Sequence, residues 1–289
     1  MGKKSRRNRS ANPSRPKPKK VPFVERPFEG LPGETDLVAM REIVPAATAT
    51  VRTTAEHGAR DVQLVTLLPD FLPALHREDG TLLVALQTAS NSGDASRDVA
   101  AALLAGLELG PGQPLRTTGI LEPGPRLQDI LDLEVVPEAA VHDSFSFWLA
   151  EGAADDPEIA GALEAANENI VPTVKVEGAT SAYWCRMSRE FLRWVRPEDT
   201  EQVFDALARL QVERASAVDQ DAKFAGAFRT CGLLIPVWEL ARGTEADELA
   251  GPVAELDARF AEALAATEPL NADERRARAG IVSRQVGLR

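Results

Sequence analysis

Residues 61–108 read DVQLVTLLPDFLPALHREDGTLLVALQTASNSGDASRDVAAALLAGLE, and this stretch decides the fold class. Asp61–Leu68 is an apolar run rich in Val and Leu, the length of a strand. Pro73–His76 leads into a second strand. Glu78-Asp79-Gly80 is a turn of the Asp-Gly type, and Thr81–Gln87 is a third strand. Asp94 then offers a side-chain cap to a helix over about 95–108, which stops before Gly110-Pro-Gly112. Strands followed by a helix, with hairpin-length turns, predict an α+β chain with antiparallel or mixed sheets and flanking helices.

Working outward, a helix over about 35–46 precedes these strands. Leu37, Val38, Met40, Ile43 and Val44 give it an apolar face. Residues 110–126 are crowded with Pro and Gly and read as a connection. Leu127–Leu133 is a short helix. Val141–Leu149 alternates, with Phe145 and Phe147 opposite Trp148, and predicts a strand. Asp156 before Pro157 marks a helix start, and that helix runs to about Asn169. Val171–Glu177 and Ala182–Val195 supply two or three strands. Asp199-Thr-Glu-Gln202 is a capping box for a helix to about Val212. Phe224–Arg229 and Leu233–Leu240 flank a turn at Thr230-Cys-Gly232. Thr244 caps a helix over about 245–266 with a break at Gly251-Pro252, and Asn271-Ala-Asp-Glu274 starts a last helix that ends at Gly280. The order of the opening third recurs in the last, which suggests two pseudo-duplicated α-β-β-β-α units. The expected division is an arm and linker over 1–30, α+β units over 31–126 and 127–270, and a basic helix and tail over 271–289.

Charge is split unevenly. Residues 1–20 carry Lys3, Lys4, Arg6, Arg7, Arg9, Arg15, Lys17, Lys19 and Lys20, with no Asp or Glu. The chain has 33 basic and 44 acidic residues, so removing these nine leaves 24 against 44, a net of −20. A cationic, Pro-punctuated segment of this kind predicts an extended, disordered arm that grips a polyanion, because each cation that meets a phosphate releases condensed counterions. No aromatic residue is interleaved, so the grip is on backbone and not on bases. RNA or the ribosome is the expected partner. Arg275, Arg276, Arg278, Arg284 and Arg289 form a second basic segment at the C-terminus.

Other chemistry is excluded more readily than assigned. Cys185 and Cys231 could pair, but two cysteines with no signal peptide in view read as buried reduced thiols; with only three His, no zinc set is expected. His142-Asp143-Ser144 is no triad, because neighbouring strand residues face opposite ways. Gly110-Pro-Gly112 and Gly124-Pro-Arg126 fit no phosphate loop, since Pro removes the N–H groups such a loop needs. No run is long enough to span a membrane, so a cytoplasmic protein with no membrane partner is expected. Catalytic residues, metals and cofactors are expected to be absent. An adaptor is the second reading, with Tyr183, Trp184 and Trp238 beside Arg126 as a partner or ligand surface. An enzyme of unknown chemistry is the third.

Several phrases carry a resemblance. Arg26-Pro-Phe-Glu-Gly-Leu-Pro-Gly-Glu34, Gly124-Pro-Arg-Leu-Gln-Asp129, Phe145-Ser-Phe-Trp148, Ala182-Tyr-Trp184, Leu192-Arg-Trp-Val195, Pro236-Val-Trp238 and Glu274-Arg-Arg-Ala-Arg278 resemble an uncharacterised actinobacterial family, domain-of-unknown-function family 5926. The resemblance covers about 26–289. It implies an actinobacterial cytoplasmic protein and brings no activity. Many members look as if they carry an N-terminal SEC-C-type zinc knuckle; residues 1–25 hold no Cys or His, so that function does not carry over.

Overall fold

Helix α1 (Glu34–Glu42) is covered on every side along its middle, with every residue from Thr35 to Met40 buried. It stops because Pro45 disfavours helical geometry just before it. The computed structural model, which describes residues 21–89, 91–118 and 124–284, shows where that cover comes from. The helix lies between two sheets. Its Leu37, Val38 and Met40 share one core with Ala47, Ala49, Val51 and Leu64 of the first sheet and with Tyr183, Leu233 and Ile235 of the second.

The first sheet is built from β1 (Ala47–Arg52), β2 (Asp61–Val65), β3 (Ala74–His76), β4 (Leu82–Ala85), β5 (Pro114–Leu115) and β6 (Ala140–Val141), in the order β5-β3-β4-β2-β1-β6. Every pairing is antiparallel except β2 with β4. Helices α2 (Ala95–Leu107) and α3 (Leu127–Ile130) share its core with α1. On the opposite face, Val65, Leu68, Leu83 and Ala85 are covered by Phe145 and Phe147, with Trp148 beside them. After α4 (Pro157–Asn167) come β7 (Thr173–Lys175), β8 (Ala182–Arg186) and β9 (Glu190–Trp194). Then follow α5 (Thr200–Val212), β10 (Lys223–Thr230), β11 (Leu233–Glu239), α6 (Ala250–Ala265) and α7 (Ala272–Ser283). These strands form a fully antiparallel sheet in the order β10-β11-β9-β8-β7. Its outer face carries Trp184, Trp194 and Trp238, packed with Phe204 of α5 and Phe260 of α6.

The α+β class with mixed and antiparallel sheets is therefore the observed one. Asp94, Asp156, Asp199 and Asn271 each accept backbone N–H groups at the helix starts where the sequence put them. The Gly80 turn (φ 86°) closes the β3–β4 hairpin. The two sheets differ in strand order and sense, so the repeat noted in the sequence stays at the level of element order.

Some expectations need correction. Val141–Leu149 is not a strand; pairing ends at Val141, and Ser146–Trp148 forms a 3-10 turn. The aromatic plug explains it. Phe145 stacks on Trp148 at 4.2 Å, and the Trp148 indole donates to Leu67 O at 2.9 Å, which needs a turn and not an extended chain. Strand β1 escaped the sequence reading because ATATVR lacks bulky residues, and β5 lies inside the stretch read as connection. The helix expected from 245 is split into a 3-10 turn at Ala246–Glu248 and α6; Glu245, not Thr244, holds the cap position, its N–H donating to Glu248 Oε2 at 2.8 Å. The last helix runs through Gly280 to Ser283. Residues 21–30, assigned to arm and linker, are packed. Phe28 is fully buried, Val24 N–H donates to Gly93 O, and Arg26 forks onto Glu34 at 2.7 Å. The first sheet ends at Val141, past the division expected at 126/127.

Candidate functional site: a groove between the sheets

Asp36 fixes α1 against the second sheet. Its Oδ1 accepts from Ser181 Oγ at 2.5 Å and from the Tyr183 hydroxyl at 2.8 Å. Its Oδ2 accepts from Lys175 Nζ at 2.8 Å and from Ala139 N–H at 3.2 Å. Ser181 Oγ also lies 2.7 Å from Thr35 Oγ1; with its proton on Asp36, Ser181 accepts there. Ser181 holds φ at 54°, a left-handed conformation that a non-glycine residue adopts only when its surroundings impose it. Burial alone raises the Asp36 carboxyl, but hydrogen bonds from Lys175, Ser181 and Tyr183 and the Lys175 charge hold it below the usual carboxylate range. Burial, then the Asp36 charge, pushes the Tyr183 phenol far up, so it stays a donor. The cluster is closed to solvent at Ser181 and Tyr183, which makes it a clasp and not a reaction centre.

The clasp leaves part of the second sheet bare. On the face toward α1, the register aligns Tyr183 and Cys185 of β8, Phe191 and Arg193 of β9, Leu233, Ile235 and Val237 of β11, and Phe228 and Thr230 of β10. Helix α1 shares a core with Tyr183, Leu233 and Ile235 but ends at Glu42, so Phe191, Arg193, Val237 and Phe228 are left lining a cavity of about 540 Å³. Met187 forms its outer wall and is 47% exposed. A second cavity of about 410 Å³ adjoins it, bounded by Val44, Leu67, Phe145, Trp148 and Val171. Glu42, Ile43 and Arg193 border both cavities, so the two form one groove between the sheets.

The aromatic surface expected from Tyr183, Trp184 and Trp238 is not there. Their exposures are 1%, 3% and 0%, and each polar tip is taken: Tyr183 by Asp36, the Trp184 indole by Thr244 O and the Trp238 indole by Ser216 O. At these residues both faces of the sheet are covered, by α1 on one side and by α5 and α6 on the other, which strand alternation alone cannot report. Arg126 is half-buried, 3.0 Å from Asp94 and donating to Pro27 O at 2.8 Å, so it ties the lead-in to α2. His142 contacts Thr48 Oγ1 at 3.0 Å, and burial lowers its pKa. Cys185 and Cys231 are both free thiols. Burial raises the Cys185 thiol; burial and then Glu42 push Cys231 up to about 11. Among the described residues no three His, Cys, Asp or Glu converge as a metal set, and no helix is long and apolar enough to cross a membrane. In the basic C-terminal segment, Arg276 pairs with Asp273, and Arg278 with Asp205 and Glu201. The nine cations of the arm and Arg289 lie outside the described residues.

Asp36 and Arg193 were missed in the sequence. Asp36 looks like any acidic residue in a first helical turn. Arg193 carried one signal: it interrupts the apolar positions Phe191 and Val195 on one strand face.

The comparisons agree with this picture in extent and add no activity. Residues 27–289 match a family of unknown function, DUF5926, and the chain belongs to that family. The match begins within the packed lead-in and runs through both sheets. No curated protein and no solved structure matches the chain.

Proposed function

We propose that this member of DUF5926 is an accessory factor without catalysis of its own, held on RNA or the ribosome by its basic arm. The observation that carries the reading is the charge split: nine cations in residues 1–20 against a net of −20 in the remainder. The arm supplies affinity, and the acidic body repels bare phosphate, so the complex forms where the arm alone can reach the polyanion. Membership of a family with no assigned activity is compatible with this role. If all nine cations meet single-stranded phosphates, log affinity falls against log salt with a slope of about −6.

The test is sedimentation of lysate on sucrose gradients at low and high salt. The full chain is compared with a full-length variant in which the nine Lys and Arg are replaced by Gln. The expected result is co-sedimentation with ribosomes or nucleoid at low salt, release at high salt, and loss in the variant. Both proteins remaining at the top of the low-salt gradient would refute it.

A further inference from the structure

We infer that the groove between the sheets is a binding site for a small amphiphilic anion, such as an aromatic carboxylate, with Arg193 as its anchor. The inference is independent of the arm. Arg193 stands on the middle of β9 and lines both cavities. A guanidinium has five N–H donors, yet Arg193 makes two long contacts: Nη1 to Ile43 O at 3.4 Å and Nη2 to the Met187 sulfur at 3.4 Å. The first is at the limit of a hydrogen bond, and a thioether is a weak acceptor. Among the described residues Arg193 makes no ion pair.

The other charges of the groove are spoken for. Glu42 sits 3.3 Å from Arg41, and Arg229 is paired with Glu201 at 2.6 Å. After these pairs cancel, the uncompensated charge is the single cation of Arg193. A half-buried guanidinium without a counter-ion, on a floor of Phe191, Phe228 and Val237, suits a ligand with one acidic group and an apolar body. The two cavities, about 540 and 410 Å³, fall in the range of small-molecule pockets. Polyanions are disfavoured, because Glu42 borders both cavities and the body as a whole is acidic.

Two fluorescent probes separate the anionic from the apolar contribution. 1-Anilinonaphthalene-8-sulfonate carries a sulfonate; N-phenyl-1-naphthylamine has the same rings without it. Both are titrated into the full-length protein, into Arg193→Met and into Met187→Glu. Met187 is about half exposed and touches Arg193, so Met187→Glu spares the fold and supplies a carboxylate that neutralises the guanidinium. The arm is common to all three proteins and its contribution cancels. One saturable sulfonate-probe site is expected, weakened about tenfold to a hundredfold by either substitution, since charge-assisted hydrogen bonds are worth that much. The neutral probe rests on the floor of Phe191, Phe228 and Val237 that all three proteins share, so the ratio of sulfonate-probe to neutral-probe affinity is expected to fall by that same factor. The inference is overturned if the sulfonate probe binds Met187→Glu as tightly as the parent, or if both probes weaken together in it. Should Arg193→Met fail to fold, Met187→Glu alone decides.

Discussion

Replacing Asp36 by Asn keeps the shape of the clasp and removes its charge. The amide has one carbonyl where the carboxylate had two oxygens. If that carbonyl faces Ser181 and Tyr183, the NH2 group faces Lys175 and the N–H of Ala139, donor against donor. Lys175 escapes at modest cost, because a quarter of its side chain is exposed and Glu138 lies 3.5 Å away. The N–H of Ala139 cannot escape, and an unsatisfied buried donor costs about 1–3 kcal/mol. Adding the lost Lys175 bond gives a total of about 3 kcal/mol, at the lower end for breaking a buried pair. That corresponds to a fall in Tm of roughly 6–12 °C. Urea unfolding at pH 7 and pH 3 measures it. The Asp36 carboxyl is depressed in the folded protein, so its stabilisation is fully present above the unfolded value, about 3.9, and is lost as pH falls through the lower folded value. The gap between parent and Asp36→Asn should therefore be constant near neutrality and close in acid. A cost below about 1 kcal/mol at pH 7, or a gap of the same size at pH 3, would refute the account of the clasp.

Gly232 holds φ at 75°, and a Cβ there would stand 2.6 Å from Arg26 Cβ. Gly232→Ala should cost about 1–3 kcal/mol in denaturant unfolding and expose the 26–34 segment to protease; Gly243→Ala, with φ 88° but open space, tests strain without the collision. Cys231, pushed up to about 11 by burial and then by Glu42, should be about a thousandth thiolate at pH 8 and react slowly with iodoacetamide. Glu42→Gln should speed that alkylation; unchanged rates would show that access alone controls it.

The legible part of the fold was the part written in local chemistry. Asp94, Asp156, Asp199 and Asn271 announce helix starts because a short polar side chain serves free N–H groups within three residues. Gly80 announces a hairpin for a similarly local reason. What failed depended on distant partners. Phe145–Trp148 alternates like a strand, but its conformation is set by Leu67 and by Asn167, whose side chain takes the N–H of Phe145 at 2.9 Å. Tyr183, Trp184 and Trp238 were legible as strand residues, yet their burial follows from helices on both faces. The groove was least legible, because it exists where α1 stops short, and no residue records how far a helix fails to reach.

The position of α1 between the sheets also has a consequence for synthesis. Asp36 leaves the ribosome long before its partners Lys175, Ser181 and Tyr183, and the helix waits further for Leu233 and Ile235. At translation speeds of about 5–20 residues per second, the 199 residues between Asp36 and Ile235 take roughly 10–40 s to appear. For that interval the nascent N-terminal half carries a helix with one apolar side uncovered, and until Lys175 appears its carboxylate has no lysine. The core between the sheets is completed only once Leu233 and Ile235 have emerged, so it forms as a late, long-range event.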